Sequence, residues 1–388
     1  MDIYNVFFEI IRAGLFGGSV SSETKALLAE EETQNKLFKA AKRHDLAHLL
    51  AYCDNKCGLF AKGSGIQTKI EMEQLTAVYR YENMDYEKKR ICDTLEKAEI
   101  PFVLMKGTVI RPYYPEPWLR TSCDIDMLVK EQDVEKAKEA LVQNAGYTFE
   151  SKTSHDYQLY SGGRVHLELH YSLLGDDTIN ERVDRVLERV WDNLDTVDGF
   201  KYCMKMNKKM FYYYNFVHLA KHIKFGGCGI KPILDLFILE KSGDYGEECL
   251  TLLKEGGLLK LLQVISKISR VYFLNEGHTE QTKALSDFIL SGGVYGNRQN
   301  LVSMHRVFSK GKFSYAISRL FPPYDVLKYR YPVLETKKWL FIPSQFRRWF
   351  DLLFKGRAKS SLKELKINQG ISVDDTEKSA RMWHDLGL

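Results

Sequence analysis

Asp124 and Asp126, two residues apart with Ile125 between them, are the pair in this sequence best suited to chemistry. On a β-strand, side chains at i and i+2 leave the same face about 7 Å apart, while the residue between packs the other way. Two carboxylates so placed can share divalent cations with the phosphates of a substrate. Mg²⁺ suits the task because it keeps positions for water and phosphate oxygens. An isolated Asp-X-Asp is equally at home on a solvated strand edge, so its neighbours decide. Lys106-Gly107-Thr108 closes the apolar run Phe102-Val103-Leu104-Met105 and stands where a short helix would begin. A glycine there lets a phosphate approach the free amides of a first helical turn, and Thr108 adds a hydroxyl. The alternative for this tripeptide is a plain strand-to-helix turn. Residues 164–171 alternate, with Arg164, His166, Glu168 and His170 on one face and Val165, Leu167, Leu169 and Tyr171 on the other. In a central strand, Glu168 would join the aspartates, ligate a metal and accept the proton of an attacking hydroxyl. In an edge strand the same polar face would be solvated.

The elements that position these residues follow from periodicity and breakers. Residues 1–97 read as helices: 4–13 has helical apolar spacing, Gly17-Gly18-Ser19 interrupts it, and a new helix starts near Ser22. Residues 67–97 contain no Gly or Pro and are rich in Glu, Lys, Met and Leu, which predicts one long helix. Strands are expected at 102–105, 125–129, 147–150, 157–160 and 164–171, with a short helix over 108–114 and a clear one over 131–145. Helices return at 180–190, 211–224, 232–240, 250–275 and 279–290. The fold class is therefore α+β: a small mixed-sheet core at 98–175, N-terminal helices at 1–97, a C-terminal helical domain at 176–360 and a polar tail at 361–388.

Three stretches together resemble the nucleotidyltransferase superfamily of the DNA polymerase β type: 102–107, then Arg120 to Val129 around Asp124-Ile125-Asp126, then Leu167-Glu168-Leu169-His170. The closer resemblance is to an uncharacterised bacterial family within it. That family shows a leucine-lysine-glycine turn, an arginine ahead of the Asp-X-Asp strand, an acidic residue two before a histidine, and a later helix with two histidines and then an aspartate. Here these last would be His218, His222 and Asp235. The resemblance spans about residues 75–240 and implies a small mixed-sheet nucleotidyltransferase core with two-metal chemistry. Asp124, Asp126 and Glu168 would hold Mg²⁺ (or Mn²⁺) and catalyse. The Gly107 and Thr108 amides would bind the β- and γ-phosphates of an NTP such as ATP, and Lys106 and Arg120 would neutralise them. An acceptor hydroxyl on a small molecule or protein would attack the α-phosphorus, and pyrophosphate would leave. A binding protein without turnover, or an RNA-directed transferase, are the alternatives on the same fold. The chain departs from the pattern in having Glu at 168 where Asp is usual, Met105 for a leucine, and a 17-residue step from Gly107 to Asp124 lengthened by 113–118.

The remaining features are less specific. His218 and His222 lie four apart on one helical face, where packing, with Lys221 or His222 reaching toward substrate, is preferred over zinc. His44, His48, Cys53 and Cys57 fall in an apolar helical stretch and read as core. Gly226-Gly227-Cys228-Gly229 does not follow a strand and reads as a connection between helices.

Apolar residues make up 44% of the 388 and charged residues 28%, which excludes disordered and fibrous classes. Lys and Arg total 56 against 51 Asp and Glu, a net +5. Residues 306–358 hold twelve basic and three acidic residues, a local +9, so the rest sum to −4. Those basic residues interleave with Tyr324, Tyr329, Tyr331, Trp339, Phe341, Trp349 and Phe350. The leading reading is a helical lobe packed by its aromatics. Single-stranded nucleic acid, a membrane surface met by 345–357, or a wall of the triphosphate site are less favoured. No apolar run approaches the roughly 20 residues that span a bilayer. The start lacks a basic n-region and cleavage site, and seven scattered cysteines do not form a disulfide framework, so a cytoplasmic location is expected.

Overall fold

The computed structural model describes residues 2–175, 178–294, 296–297, 299–303, 321–324, 327–328, 331, 333–354, 380–381 and 383–387. Four N-terminal helices, α1 (Ile3–Phe16), α2 (Ser22–Leu28), α3 (Glu31–Arg43) and α4 (Ala47–Cys57), precede the long α5 (Gly65–Lys97). Asp2 caps α1 through its carboxylate, and Gly17 ends it at φ +80, a left-handed conformation that suits glycine. Ser64 caps α5, a helix of 33 residues that contains no Gly or Pro after Gly65.

The sheet is built from β1 (Phe102–Leu104), β2 (Asp124–Val129), β3 (Thr148–Lys152), β4 (Asp156–Tyr160), β5 (His166–His170), β6 (Leu194–Thr196) and β7 (Cys203–Met206). Its order is β3-β4-β5-β2-β1-β7-β6. β2 and β5 run parallel, β1 and β7 run parallel, and the remaining pairs are antiparallel. The fold is thus α+β with a mixed sheet and flanking helices. Sheet pairing does not stop at 175, where the α/β stretch was expected to end, because β6 and β7 return to cover the free side of β1. β5 is shorter than the 164–171 alternation suggests. Arg164 turns the chain at φ +60, and pairing begins at His166.

Alternation decides which side each strand residue serves. Ile125, Met127 and Val129 join Ile91 and Leu95 of α5 and Leu141 of α7 (Val134–Ala145) in one core. Leu128 and Val103 enter the other, larger core, with α9 (Lys208–Lys224), α10 (Lys231–Lys241) and α12 (Leu259–Leu274). Asp124 and Asp126 share the face of Leu128, so they look toward α9 and α10. The helix expected over 250–275 divides into α11 (Leu250–Glu255) and α12. Gly256 lies at the division, where a Cβ would meet the Tyr213 hydroxyl at 2.6 Å. Near the chain end, which reads as polar, Trp383 is buried against Phe288 with ring centroids 5.2 Å apart. Much of the basic 306–358 stretch, including 306–320 and 355–358, lies outside the described residues, as does 361–379. Within it a helix covers Phe341–Phe354.

Candidate active site

Parallel pairing of β2 with β5 sets Asp126 opposite Glu168 and Asp124 opposite His166. Because β5 lies between β2 and β4, it is central, and the solvated-edge alternative for Glu168 does not apply. Lys106, in the turn that follows β1, has φ +46, an uncommon backbone conformation for a side chain with a Cβ and one that proteins tolerate mainly at functional sites. Its Nζ stands 2.6 Å from Asp126 Oδ1. His170 Nε2 lies 3.1 Å from the same oxygen and 3.4 Å from Glu168 Oε2. Burial pushes the Asp126 carboxyl up, but Lys106 and then His170 outweigh it and hold the pKa well below the usual carboxylate range. The Lys106 ammonium is correspondingly raised despite its burial, chiefly by Asp126. Glu168 is lowered, first by its hydrogen bond with His170.

Asp124 is in the opposite situation. Burial and then repulsion from Asp126 push its pKa up to about 6. No cation among the described residues is paired with it. Its main-chain oxygen accepts a hydrogen bond from the Ser122 hydroxyl at 3.1 Å, and Arg111 donates to that hydroxyl at 2.5 Å.

Arg120 is clamped rather than free. Its Nε donates to both oxygens of Asp235 at 2.9 and 3.0 Å, and Nη2 lies 2.9 Å from Oδ2. The Tyr114 hydroxyl donates to Asp235 Oδ1 at 2.7 Å. Lys231 is bonded to Asp45, and both hydrogen-bond the Thr121 hydroxyl, at 2.9 and 2.8 Å.

A cavity of about 510 Å³ collects these groups, within the range of small-molecule sites. Lys106, Gly107, Arg120, Asp124, Asp126, Glu168 and His222 all line it. Thr108 does not, and its hydroxyl donates to the Met105 carbonyl at 2.5 Å. Gly107 opens α6 (Gly107–Ile110), a helix of a single turn. His222 bonds His218, Nε2 to Nε2 at 3.0 Å. Burial and then Lys106 lower both histidines, His222 to about 4, so each is neutral at pH 7. The 226–229 loop is more than a connection, since Cys228 and Gly229 form part of the cavity wall. His44 and His48 are buried, and His48 bonds the Leu119 carbonyl at 2.8 Å.

Sequence reasoning missed Lys231, Asp45 and Thr121, for which no local pattern exists across 186 positions. It noted His170 and Asp235 as motif positions without reaching their partners.

Metal-ligating atoms gather within 4.8 Å of one another in Asp124–His166–Glu168 and in Asp126–Glu168–His170, so the three acids divide into two groups that share Glu168. The donor chemistry fits a divalent cation: carboxylate oxygens with an imidazole in each group. In addition, His166 Nε2 is buried with no hydrogen-bond partner.

Comparison with curated proteins and with solved structures finds no match. A family described as uncharacterised nucleotidyltransferase matches residues 30–273, 244 of the 388, and so takes in the whole sheet, the cavity walls from Asp45 to Leu239 and both carboxylate groups. With more than half its length matched, the chain belongs to that uncharacterised nucleotidyltransferase family.

Proposed function

We propose that this chain transfers a nucleoside monophosphate from an NTP, with ATP the first to test, to a hydroxyl of a small molecule or protein, by the two-metal route of the polymerase β type. One observation carries the reading: Asp126 stands in register with Glu168, two residues from Asp124, at a cavity lined by Lys106 and Arg120. Asp124, Asp126 and Glu168 are the residues to hold Mg²⁺ or Mn²⁺. When bound, such ions polarise the α-phosphate and neutralise charge on the leaving pyrophosphate.

The chain's own residues do the rest. Glu168, held ionised by His170, takes the proton of the acceptor hydroxyl. The acceptor oxygen bonds to the α-phosphorus as the bond from that phosphorus to the bridging β-phosphate oxygen breaks. The Gly107 amide, at the cavity wall, donates to a β- or γ-phosphate oxygen by direct bonding, since one helical turn has little dipole to add. Lys106 exchanges Asp126 for a phosphate oxygen, and Arg120, oriented by Asp235, adds the second positive charge. His222, neutral, acts by hydrogen bonding to substrate. In this reading 98–175 supplies the catalytic strands, while 1–97 and 176–360 supply the substrate walls through Asp45, His222 and Lys231.

Incubation of cell extract with labelled NTPs, Mg²⁺ and the protein tests this. The expected result is label on one acceptor class with pyrophosphate release, lost in Asp124→Asn. Absence of metal-dependent nucleotide binding in calorimetry would sink the reading. The Lys106–Asp126 pair favours a second reading, a nucleotide-binding protein without turnover. It would give tight binding and no pyrophosphate.

A further inference from the structure

We propose that His166 is a metal ligand, and that Asp124, His166 and Glu168 form a mixed nitrogen and oxygen site that selects a first-row transition ion such as Mn²⁺ over Mg²⁺. This rests on the nucleotidyltransferase reading of the same strands and adds to it a ligand and an ion preference. Three observations converge on the imidazole. Parallel register places His166 directly across from Asp124, and a ring nitrogen lies within 4.8 Å of the carboxylate oxygens of both Asp124 and Glu168. The ring stacks on Tyr160 with centroids 4.6 Å apart and an interplanar angle of 15°, which fixes its orientation. Finally, Nε2 is buried and makes no hydrogen bond, an uncommon state for a polar atom and one that a ligand relieves.

The other carboxylate group is a poorer first site. Asp126 and His170 are buried, and Asp126 Oδ1 already receives Lys106 and His170. Asp124, His166 and Glu168 are each partly exposed, and Asp124 and Glu168 line the cavity, from which an ion can reach their carboxylates. Their donor set then decides the ion. Mg²⁺ prefers an all-oxygen octahedron, whereas later divalent ions bind imidazole readily and Mn²⁺ accepts both donor types.

The test uses Mn²⁺ and Mg²⁺ alone and with ATP, against wild type, His166→Phe and His166→Ala. His166→Phe keeps a ring on Tyr160 and removes the nitrogen, while His166→Ala covers the case in which the larger ring disturbs folding. Circular dichroism checks that each variant is folded. Calorimetry gives the affinities, and pulsed electron paramagnetic resonance of bound Mn²⁺ reads coupling to a directly bonded ¹⁴N. Wild type should bind Mn²⁺ about tenfold or more tighter than Mg²⁺ and show the nitrogen coupling. The variants should lose the coupling and about tenfold or more in Mn²⁺ affinity, with Mg²⁺ affinity little changed. Mn²⁺ bound without nitrogen coupling overturns the proposal and leaves the transferase reading standing. Coupling that persists in both variants does the same, because it assigns the nitrogen to His170. If neither ion binds, with or without ATP, both readings fall.

Discussion

Removing the Asp235 carboxylate tests whether the Arg120 clamp holds the cavity together. Arg120 and Asp235 side chains are 14% and 8% exposed, so the pair is desolvated on both sides. Breaking a buried pair by deleting one partner costs about 3–5 kcal/mol, because the other charge stays buried and uncompensated. The Tyr114 hydroxyl would also lose its acceptor, a further penalty of about 1–3 kcal/mol. Both residues line the cavity, so water can reach the orphaned groups and pull the total toward the lower end, about 3 kcal/mol. Urea unfolding of Asp235→Ala, Arg120→Met and an Arg120→Met/Asp235→Leu double variant measures it. Each single variant should lose about 3 kcal/mol, and the double should recover at least about 2 kcal/mol relative to their sum. Triphosphate binding should stay weakened in the double variant even where stability returns, since the guanidinium is gone. A loss below about 1 kcal/mol in the single variants, the scale of an exposed pair, or strict additivity in the double, would refute the argument.

Asp124→Asn and Asp126→Asn should both abolish turnover yet move metal-free stability in opposite directions at pH 8. The first relieves repulsion, and the second strands Lys106 at a cost of about 3 kcal/mol. Thermal or urea unfolding reads the sign. Because the folded protein holds the Asp124 proton up to about pH 6, above its ordinary value of 3.8, the native state binds more protons than the unfolded one through that window. Metal-free stability from this group therefore falls as pH rises from about 4 to 6, while Mn²⁺ affinity climbs and levels off above about pH 6. Calorimetry across pH checks the affinity, and Asp124→Asn should flatten the curve. Thr108→Val should change ATP affinity less than about threefold, because the hydroxyl already serves the Met105 carbonyl, while stability falls by about 1 kcal/mol.

What could be read from the sequence was what is local. Asp124, Asp126 and Glu168 were legible because strand alternation alone orients them, and α5 because a long run without breakers has few alternatives. β6 and β7 were not, since three and four residues carry too little periodicity, and only pairing with β1 makes them strands. The division at Gly256 depends on the approach of Tyr213, which no local rule shows. The partner of the Thr108 hydroxyl was missed for a different reason: a threonine near a helix start can bond a carbonyl three residues back, and that competes with any ligand. Lys231–Asp45 and Arg120–Asp235 span 186 and 115 positions, so their pairing is a property of the assembled fold.

Those long-range pairs bear on how substrate enters. Five carboxylates line the cavity: Asp45, Asp124, Asp126, Glu168 and Asp235. Asp45 is matched by Lys231, Asp126 by Lys106, Asp235 by Arg120, and Glu168 approaches His170. Asp124 alone has no such partner among the described residues, and its raised pKa records the cost. The three Lys and Arg side chains lining the cavity, Lys106, Arg120 and Lys231, are therefore already engaged, and the surplus charge at the strand ends is negative. An NTP arriving without a divalent ion meets repulsion at Asp124 and must break ion pairs to gain contacts. One arriving with the ion satisfies Asp124 first and leaves Lys106 free to exchange partners. On this electrostatic ground nucleotide affinity depends on the cation more steeply than on any single basic residue, and chelation should abolish binding where Lys106→Met only weakens it.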